Sequence, residues 1–569
     1  MTIDHIPAKQ PAALRGSHRG TLLLLCGFAY LYVFPYQAQL NNPNENVRFY
    51  MTASLAEQGS YAIDMPRARW GWVNDGAVHG GHFWSVKAPG TSFSGVPGYY
   101  VYWKLSQALG HAFDRTEALW VCRVTACVLP TLLFAFFFYG FLARHARHAL
   151  ARNTVFVSTL LGSLLYGYGM MFVSHTVGAV LAFAAFMGLW SVRHGEREAD
   201  ARGAFLAGLG CAAATFYEYP GLACSLPLAV YGVVVLRKPK LLAAFALGGV
   251  LPALIMMHFQ WRAFGSPFTP GHLYVENDSF RAAHHQGLYG AVGPSAYAMY
   301  GLLIDPGAGL FPLTPLLVLA LPGLYRMLRD EKQRADAITI LAVVVLTVLA
   351  ISSMNNWRGG WTVGPRYLAV CVPFLAWPAL RALDDWLDRM PLMAAGFALA
   401  ACAVGLIASG LPSAYYPHLP PELERPLPQV YAVLIAHGYA PMNAAALVNV
   451  FSGASMLPLL ACALGVLACC VVAITPGLRW RATALAVAVA LVLAVPLWIR
   501  PSKEPGVAGA VAFITRNYWP SGHDAASRLR DRLRVQPTAA TPENLERLAE
   551  LYREEGRQME AQRAKRGRL

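Results

Sequence analysis

Apolar residues run along this chain in stretches of roughly 17–25, the length a helix needs to cross a bilayer, separated by short polar connectors. The stretches fall at Thr21–Tyr36, Trp120–Leu142, Thr154–Phe172, Val177–Val192, Ala204–Phe216, Leu222–Leu236 and Leu241–Gln260. They resume at Phe311–Leu328, Ala337–Ser353, Tyr367–Leu383, Leu392–Leu411, Phe451–Ile474 and Ala482–Ile499, about thirteen in all. The pattern predicts an all-α polytopic membrane protein of about 13 transmembrane helices. Its parts are a cytoplasmic segment 1–19, a transmembrane domain 20–499 and a soluble, mostly helical tail 500–569. Two connectors are long, 41–118 and 261–304, and both belong on the outer side.

The first long connector opens with NNPNENVRFYMTASLAEQGSYAID. Asn42 suits a helix N-cap, Pro43 the first helical position and Glu45 a capping box, while Gly59 suits the stop. Val47, Met51 and Leu55 share one face; Glu45, Arg48 and Thr52 share another. Two readings of Glu45 are open: a general base held by a surface-lying helix at the lip of a bundle, or a cap residue paired with Arg48. Phe93–Leu109 is apolar enough to dip into the membrane or lie on it. In the tail, Thr541-Pro542 starts an amphipathic helix with Leu545, Leu548, Leu551 and Tyr552 on one face.

Composition sharpens this reading. The 569 residues are 56% hydrophobic and 14% charged, too apolar for a soluble enzyme. The excess of 46 Lys+Arg over 31 Asp+Glu does not point to nucleic acid. Many of these charges sit in short connectors, as the positive-inside rule expects. All 10 cysteines fall in apolar stretches and read as packing residues. No Walker loop, dinucleotide fingerprint or zinc spacing is present. His79, His82, His272, His284 and His285 read as solvated loop residues, and no ligand spacing supports a divalent metal.

Glu45, Arg48, Lys87, Arg358 and Arg366 all map to the outer side. Lys87 precedes the Pro89-Gly90 turn; Arg366 follows Gly359, Gly360 and Gly364, which allow close backbone approach by a ligand. One carboxylate with several cations suits transfer from a lipid-phosphate sugar. The leaving phosphate needs charge stabilisation, whereas a glycosidase must protonate its leaving group and so needs two carboxylates. Asp75, a plain turn residue on the simpler reading, is a candidate second acid, and Glu218 reads as a hairpin-tip loop residue.

Over residues 20–385 the chain resembles the polytopic GT-C glycosyltransferases, in particular the protein O-mannosyltransferase and lipid A aminoarabinose transferase branch. The family's Asp-Glu-x-Arg-Tyr-like element reads Glu45-Asn46-Val47-Arg48-Phe49 here. Its Lys-Pro-Pro element reads Lys87-Ala88-Pro89, and its late Arg-Tyr-Leu is Arg366-Tyr367-Leu368. A Gly-Ser-Pro and Pro-Gly-His run at 265–272, with His272, is similar too. The family's acidic pair is reduced to Glu45 with Asn46 beside it, which weakens the case for metal assistance.

The resemblance implies a glycosyltransferase of the bacterial-type inner membrane with its site on the extracytoplasmic face. Its partners are a polyprenyl-phosphate sugar donor, membrane lipids and a glycan, lipid or protein acceptor. By that match Glu45 is the catalytic acid, and Arg48, Lys87 and Arg366 hold the donor phosphate. Asp75, Arg358, Tyr367 and His272 are secondary candidates. A flippase of lipid-linked glycans, which grips the same phosphate, and a non-catalytic envelope assembly protein are the rival readings.

Overall fold

A computed structural model describes residues 18–35, 43–421, 423–436, 438, 440–448, 450, 452–499, 526, 529–530, 533, 539–554 and 558–567. Among these, nine helices are long and apolar enough to cross a membrane: Arg115–His145, His175–Arg193, Tyr219–Leu236, Pro239–Phe264, Arg334–Ser352, Arg366–Arg389, Pro391–Tyr415, Gly453–Val472 and Pro476–Trp498. Each overlaps an apolar stretch of the sequence, and the chain is a multi-pass helical membrane protein.

The other four stretches form shorter elements. Thr21–Tyr36 yields the 14-residue helix Arg19–Tyr32, and Ala204–Phe216 lies inside the 17-residue helix Ala201–Tyr217. Thr154–Phe172 divides into Ala149–Leu160 and Leu164–Met170. Ser163 turns extended between them and accepts the Leu165 N–H at 3.1 Å, capping the second helix. Phe311–Leu328 becomes Leu310–Leu313, Pro315–Leu319 and Ala320–Arg329. Pro315 has no N–H with which to continue a helix through that point.

The helix expected at Asn42 runs from Pro43 to Gln58; Asn42 itself lies outside the described residues. Gly59, at φ 63°, takes the left-handed turn that ends it. It does not lie on a surface. Residues 44–54 are all buried, because Val47, Phe49, Tyr50, Met51 and Ala53 join one apolar core with Leu119, Cys122, Phe172 and Phe259. Two further elements set the site. Antiparallel strands Gly76–His79 and His82–Ser85 pair Gly76 with Ser85 and His79 with His82 around Gly80-Gly81. The helix Gly90–Leu109 follows directly, burying Thr91, Ser92 and Tyr99 and exposing Tyr100, Leu105 and Leu109.

Within the 31-residue helix Arg115–His145, Val124–Val128 forms a wide π turn just after Arg123. Gly98 packs there, and a Cβ at that position would stand 2.2 Å from the Thr125 hydroxyl. All ten cysteines are buried and free. In the tail, the helices Pro542–Glu554 and Gln558–Lys565 bury Leu548, Ala549 and Tyr552 against Ala561 and Ala564.

Candidate active site

The hairpin register places Asp75 opposite Val86, whose N–H donates to the Asp75 carbonyl at 3.3 Å. Just past the paired strands the side chains of Asp75 and Lys87 meet, Nζ to Oδ2 at 3.0 Å. Burial works against the Asp75 carboxylate, but Lys87, then Arg366 and Arg48, hold its pKa below the ordinary range. The plain-turn reading of Asp75 gives way to a buried ion pair.

Arg48 is fully buried. Its Nη1 donates to the Asn44 carbonyl at 2.7 Å, and its Nη2 to Ser174 Oγ at 2.9 Å and Glu218 Oε2 at 3.1 Å. Glu218 stands where the helix Ala201–Tyr217 ends: its N–H donates to the Ala214 carbonyl, and its own carbonyl accepts from Gly221. The Ser174 hydroxyl donates to the same carboxylate, and His175 Nδ1 lies 3.7 Å away. Burial alone would raise the Glu218 pKa. His175, Arg48, Ser174 and Lys87 outweigh it and hold the group at about 2. Glu218 is no idle loop residue, and Arg48 takes it rather than Glu45 as partner.

Arg366 is 9% exposed and, among the described residues, has no carboxylate within ion-pair distance. Its Nη2 donates to the Tyr367 hydroxyl at 3.2 Å, and its Nε has no hydrogen-bond partner among the described residues. Gly359 makes room for the Arg366 side chain itself. At Gly359, φ is 76°, and a Cβ would stand 2.8 Å from Arg366 Nε. His175 is wedged between the Tyr168 and Tyr367 rings at 5.2 and 5.4 Å.

Ser174, His175, Glu218, Arg366 and Tyr367 form the polar wall of a small cavity. Gly178, Ala179, Ala214 and Val370, on the adjoining helices, form its apolar wall. Three buried cations, Arg48, Lys87 and Arg366, share this region with two carboxylates, Asp75 and Glu218.

Glu45 belongs to a different set. Arg123 grips it with Nε at 2.5 Å and Nη2 at 2.6 Å, and the Phe172 N–H donates to it at 2.7 Å. Burial would raise its pKa, but Arg123 and the Phe172 N–H bring it below the ordinary carboxylate value. Of the site residues singled out in the sequence, Arg366 and Tyr367 line the cavity; Glu45, Asp75, Arg48, Lys87 and His272 do not. Arg358 lies over the Trp357 ring at 5.8 Å and does not line it either.

His272 is not a solvated loop residue. Its ring packs on His284 at 4.8 Å and Tyr219 at 5.9 Å. Burial, Lys87 and His284 push its pKa down to about 3, leaving it neutral at physiological pH. His79 contacts the Ala263 carbonyl, His82 pairs with Asp64, and His285 contacts the Leu273 carbonyl. Among the described residues no three His, Cys, Asp or Glu side chains gather in a metal-binding group.

Sequence reading missed Glu218, Ser174 and Arg123. Each had a signal: Glu218 is an acid between two apolar stretches, Arg123 a cation inside one, and Ser174-His175 a polar break between Thr154–Phe172 and Val177–Val192.

No protein-family profile matches the chain, and no curated protein does. The solved structures give a neighbour. This chain is similar to ArnT. The crystal structure of ArnT from Cupriavidus metallidurans in the apo state is 18% identical at TM-score 0.43, covering 84% of this chain and 76% of that one. ArnT from the same organism bound to undecaprenyl phosphate is 15% identical at TM-score 0.40, covering 91% and 87%.

Proposed function

We propose that this protein transfers a sugar from a polyprenyl-phosphate donor to a hydroxyl acceptor at the extracytoplasmic face of the inner membrane. The observation that carries the proposal is an excess of buried positive charge: Arg48, Lys87 and Arg366 share this region with Asp75 and Glu218, and among the described residues Arg366 has no carboxylate within ion-pair distance. A buried charge without a partner costs several kcal/mol (roughly 3–5 when one member of a buried pair is lost). An anionic ligand removes that cost. Phosphate fits the donors, since guanidinium groups present forked N–H pairs and Lys87 supplies a point charge. The apolar wall of Gly178, Ala179, Ala214 and Val370 suits the first isoprene units of a lipid carrier.

The spans support the assigned side. The helix starting at His175 ends at Arg193, and the helix starting at Arg366 ends at Arg389. Tyr219–Leu236 begins beside Glu218 and runs into Arg237 and Lys238. Site residues thus occupy one end of these helices and basic connectors the other, as the positive-inside rule places them.

In this reading the acceptor oxygen attacks the anomeric carbon in a single inverting displacement. The departing phosphate takes the bonding pair, and Arg48, Lys87 and Arg366 stabilise its charge without supplying a proton. Incubating the purified protein with farnesyl-phosphate sugars carrying a radiolabelled sugar tests the reading. Release of farnesyl phosphate with transfer of the label supports it; label that crosses a vesicle membrane uncleaved would establish the flippase instead.

A further inference from the structure

Building on that transfer reaction, we propose that Glu218 is the base that takes the proton from the acceptor hydroxyl, and that Glu45 is an anchor. Three carboxylates are available, and their hydrogen bonds separate them. Glu45 Oε1 accepts from Arg123 Nε and the Phe172 N–H, Oε2 accepts from Arg123 Nη2, and the side chain is 1% exposed as a residue. Asp75 is tied to Lys87 at 3.0 Å and stands away from the cavity lining. Glu218 lines the cavity together with Arg366. Its Oε2 accepts from Arg48 and Ser174, while Oε1 has no hydrogen-bond donor among the described residues.

This division suits a base. A general base must be positioned before it is used, and one oxygen held by two donors fixes the other. The Glu218 N–H donates to the Ala214 carbonyl and the Gly221 N–H to the Glu218 carbonyl, and with Pro220 these bonds hold the backbone on either side. Arg366 shares the cavity, so the group that receives the proton and a group that stabilises the departing charge face the same space.

The step balances within the site. The acceptor oxygen forms a bond to the anomeric carbon as the bond from that carbon to the phosphate oxygen breaks. The electron pair leaves on the phosphate, and the acceptor proton passes to Glu218 Oε1. Arg48 links the two events. When the phosphate draws on its guanidinium, less of that positive charge is left to hold Glu218 ionised, and the carboxylate becomes a stronger base as the donor binds.

The test uses the full chain in nanodiscs, farnesyl-phosphate sugars that the native protein consumes, and sodium azide, an anionic nucleophile that needs no base. Glu218→Ala should lose transfer to the hydroxyl acceptor by about 10²–10⁴-fold, while farnesyl phosphate binds it at least as tightly as it binds the native protein. Azide should then restore donor consumption and yield a glycosyl azide of inverted configuration. Glu218→Asp should keep a residual rate with a shifted acid limb. Azide rescue in Glu45→Ala or Asp75→Ala instead, or loss of farnesyl phosphate binding in Glu218→Ala, overturns the assignment while leaving the transferase reading intact. If the native protein neither binds farnesyl phosphate nor consumes any donor, the transferase reading fails, and the assignment with it.

Discussion

Arg123 and Glu45 form a two-point ion pair, Nε to Oε1 at 2.5 Å and Nη2 to Oε2 at 2.6 Å, both side chains 2% exposed. The pair fastens the helix Pro43–Gln58, which also carries Arg48, to the membrane-spanning helix Arg115–His145. Removing one member leaves a buried charge. Arg123→Ala should therefore lower stability by about 3–5 kcal/mol, read as a fall in unfolding temperature in detergent. The double variant Glu45→Leu/Arg123→Met should recover most of that loss and retain transfer. A stable double variant with no transfer would return Glu45 to the chemistry.

Arg366 gives the second prediction. Arg366→Gln removes the guanidinium that lacks a carboxylate partner and should weaken farnesyl phosphate binding by about 1.5–3 kcal/mol, the worth of a charged hydrogen bond. Unfolding temperature should change little, since among the described residues Arg366 makes no ion pair at contact distance. Unchanged affinity in an isothermal titration would take Arg366 out of the anion site.

Asp75 competes with an incoming phosphate for Lys87. Asp75→Asn should therefore tighten farnesyl phosphate binding, roughly three- to tenfold, whereas Lys87→Met should weaken it. If both variants bind less tightly, the pair acts as a structural clamp and not as an occupied anion site.

The buried acids also set a pH dependence. Glu45, Asp75 and Glu218 all titrate below their ordinary values when folded, Glu218 at about 2. Such groups stabilise the fold fully above their unfolded pKa, about 3.9–4.3 for Asp and Glu. That contribution disappears as pH falls through the folded values. Unfolding temperature should thus be flat from neutral pH to about 5 and drop steeply below 4. A Glu45→Gln/Arg123→Gln variant should show a shallower fall than the native protein over that window.

How much of this was legible beforehand follows from the physics of each part. The long spans were, because twenty apolar residues in a row carry their own signal. The broken ones were less so: nothing in hydropathy marks Ser163 as a cap inside Thr154–Phe172. Lys87, Arg48 and Arg366 were picked as a set, and the structure brings them into one region. Their partners were not legible. Glu45 and Arg48 lie three residues apart and read as neighbours, yet each bonds to a span far along the chain, at Arg123 and Glu218. Pairing across 78 and 170 positions is decided by packing of the bundle, which one sequence does not display.

The π turn at Val124–Val128 makes the Arg123 anchor tolerant of one lost residue behind it. A turn of this kind accommodates one more residue than an α-helix does. Deleting Ala126 should let the rod close into regular coiling with both flanks still in phase, and the guanidinium should go on facing Glu45. Deleting Phe136, in the regular stretch Leu129–His145, has no surplus residue to draw on and should swing everything before it by about 100° relative to the rest. A single-codon deletion at 136 should therefore cost as much thermal stability as Arg123→Ala, while one at 126 should cost far less.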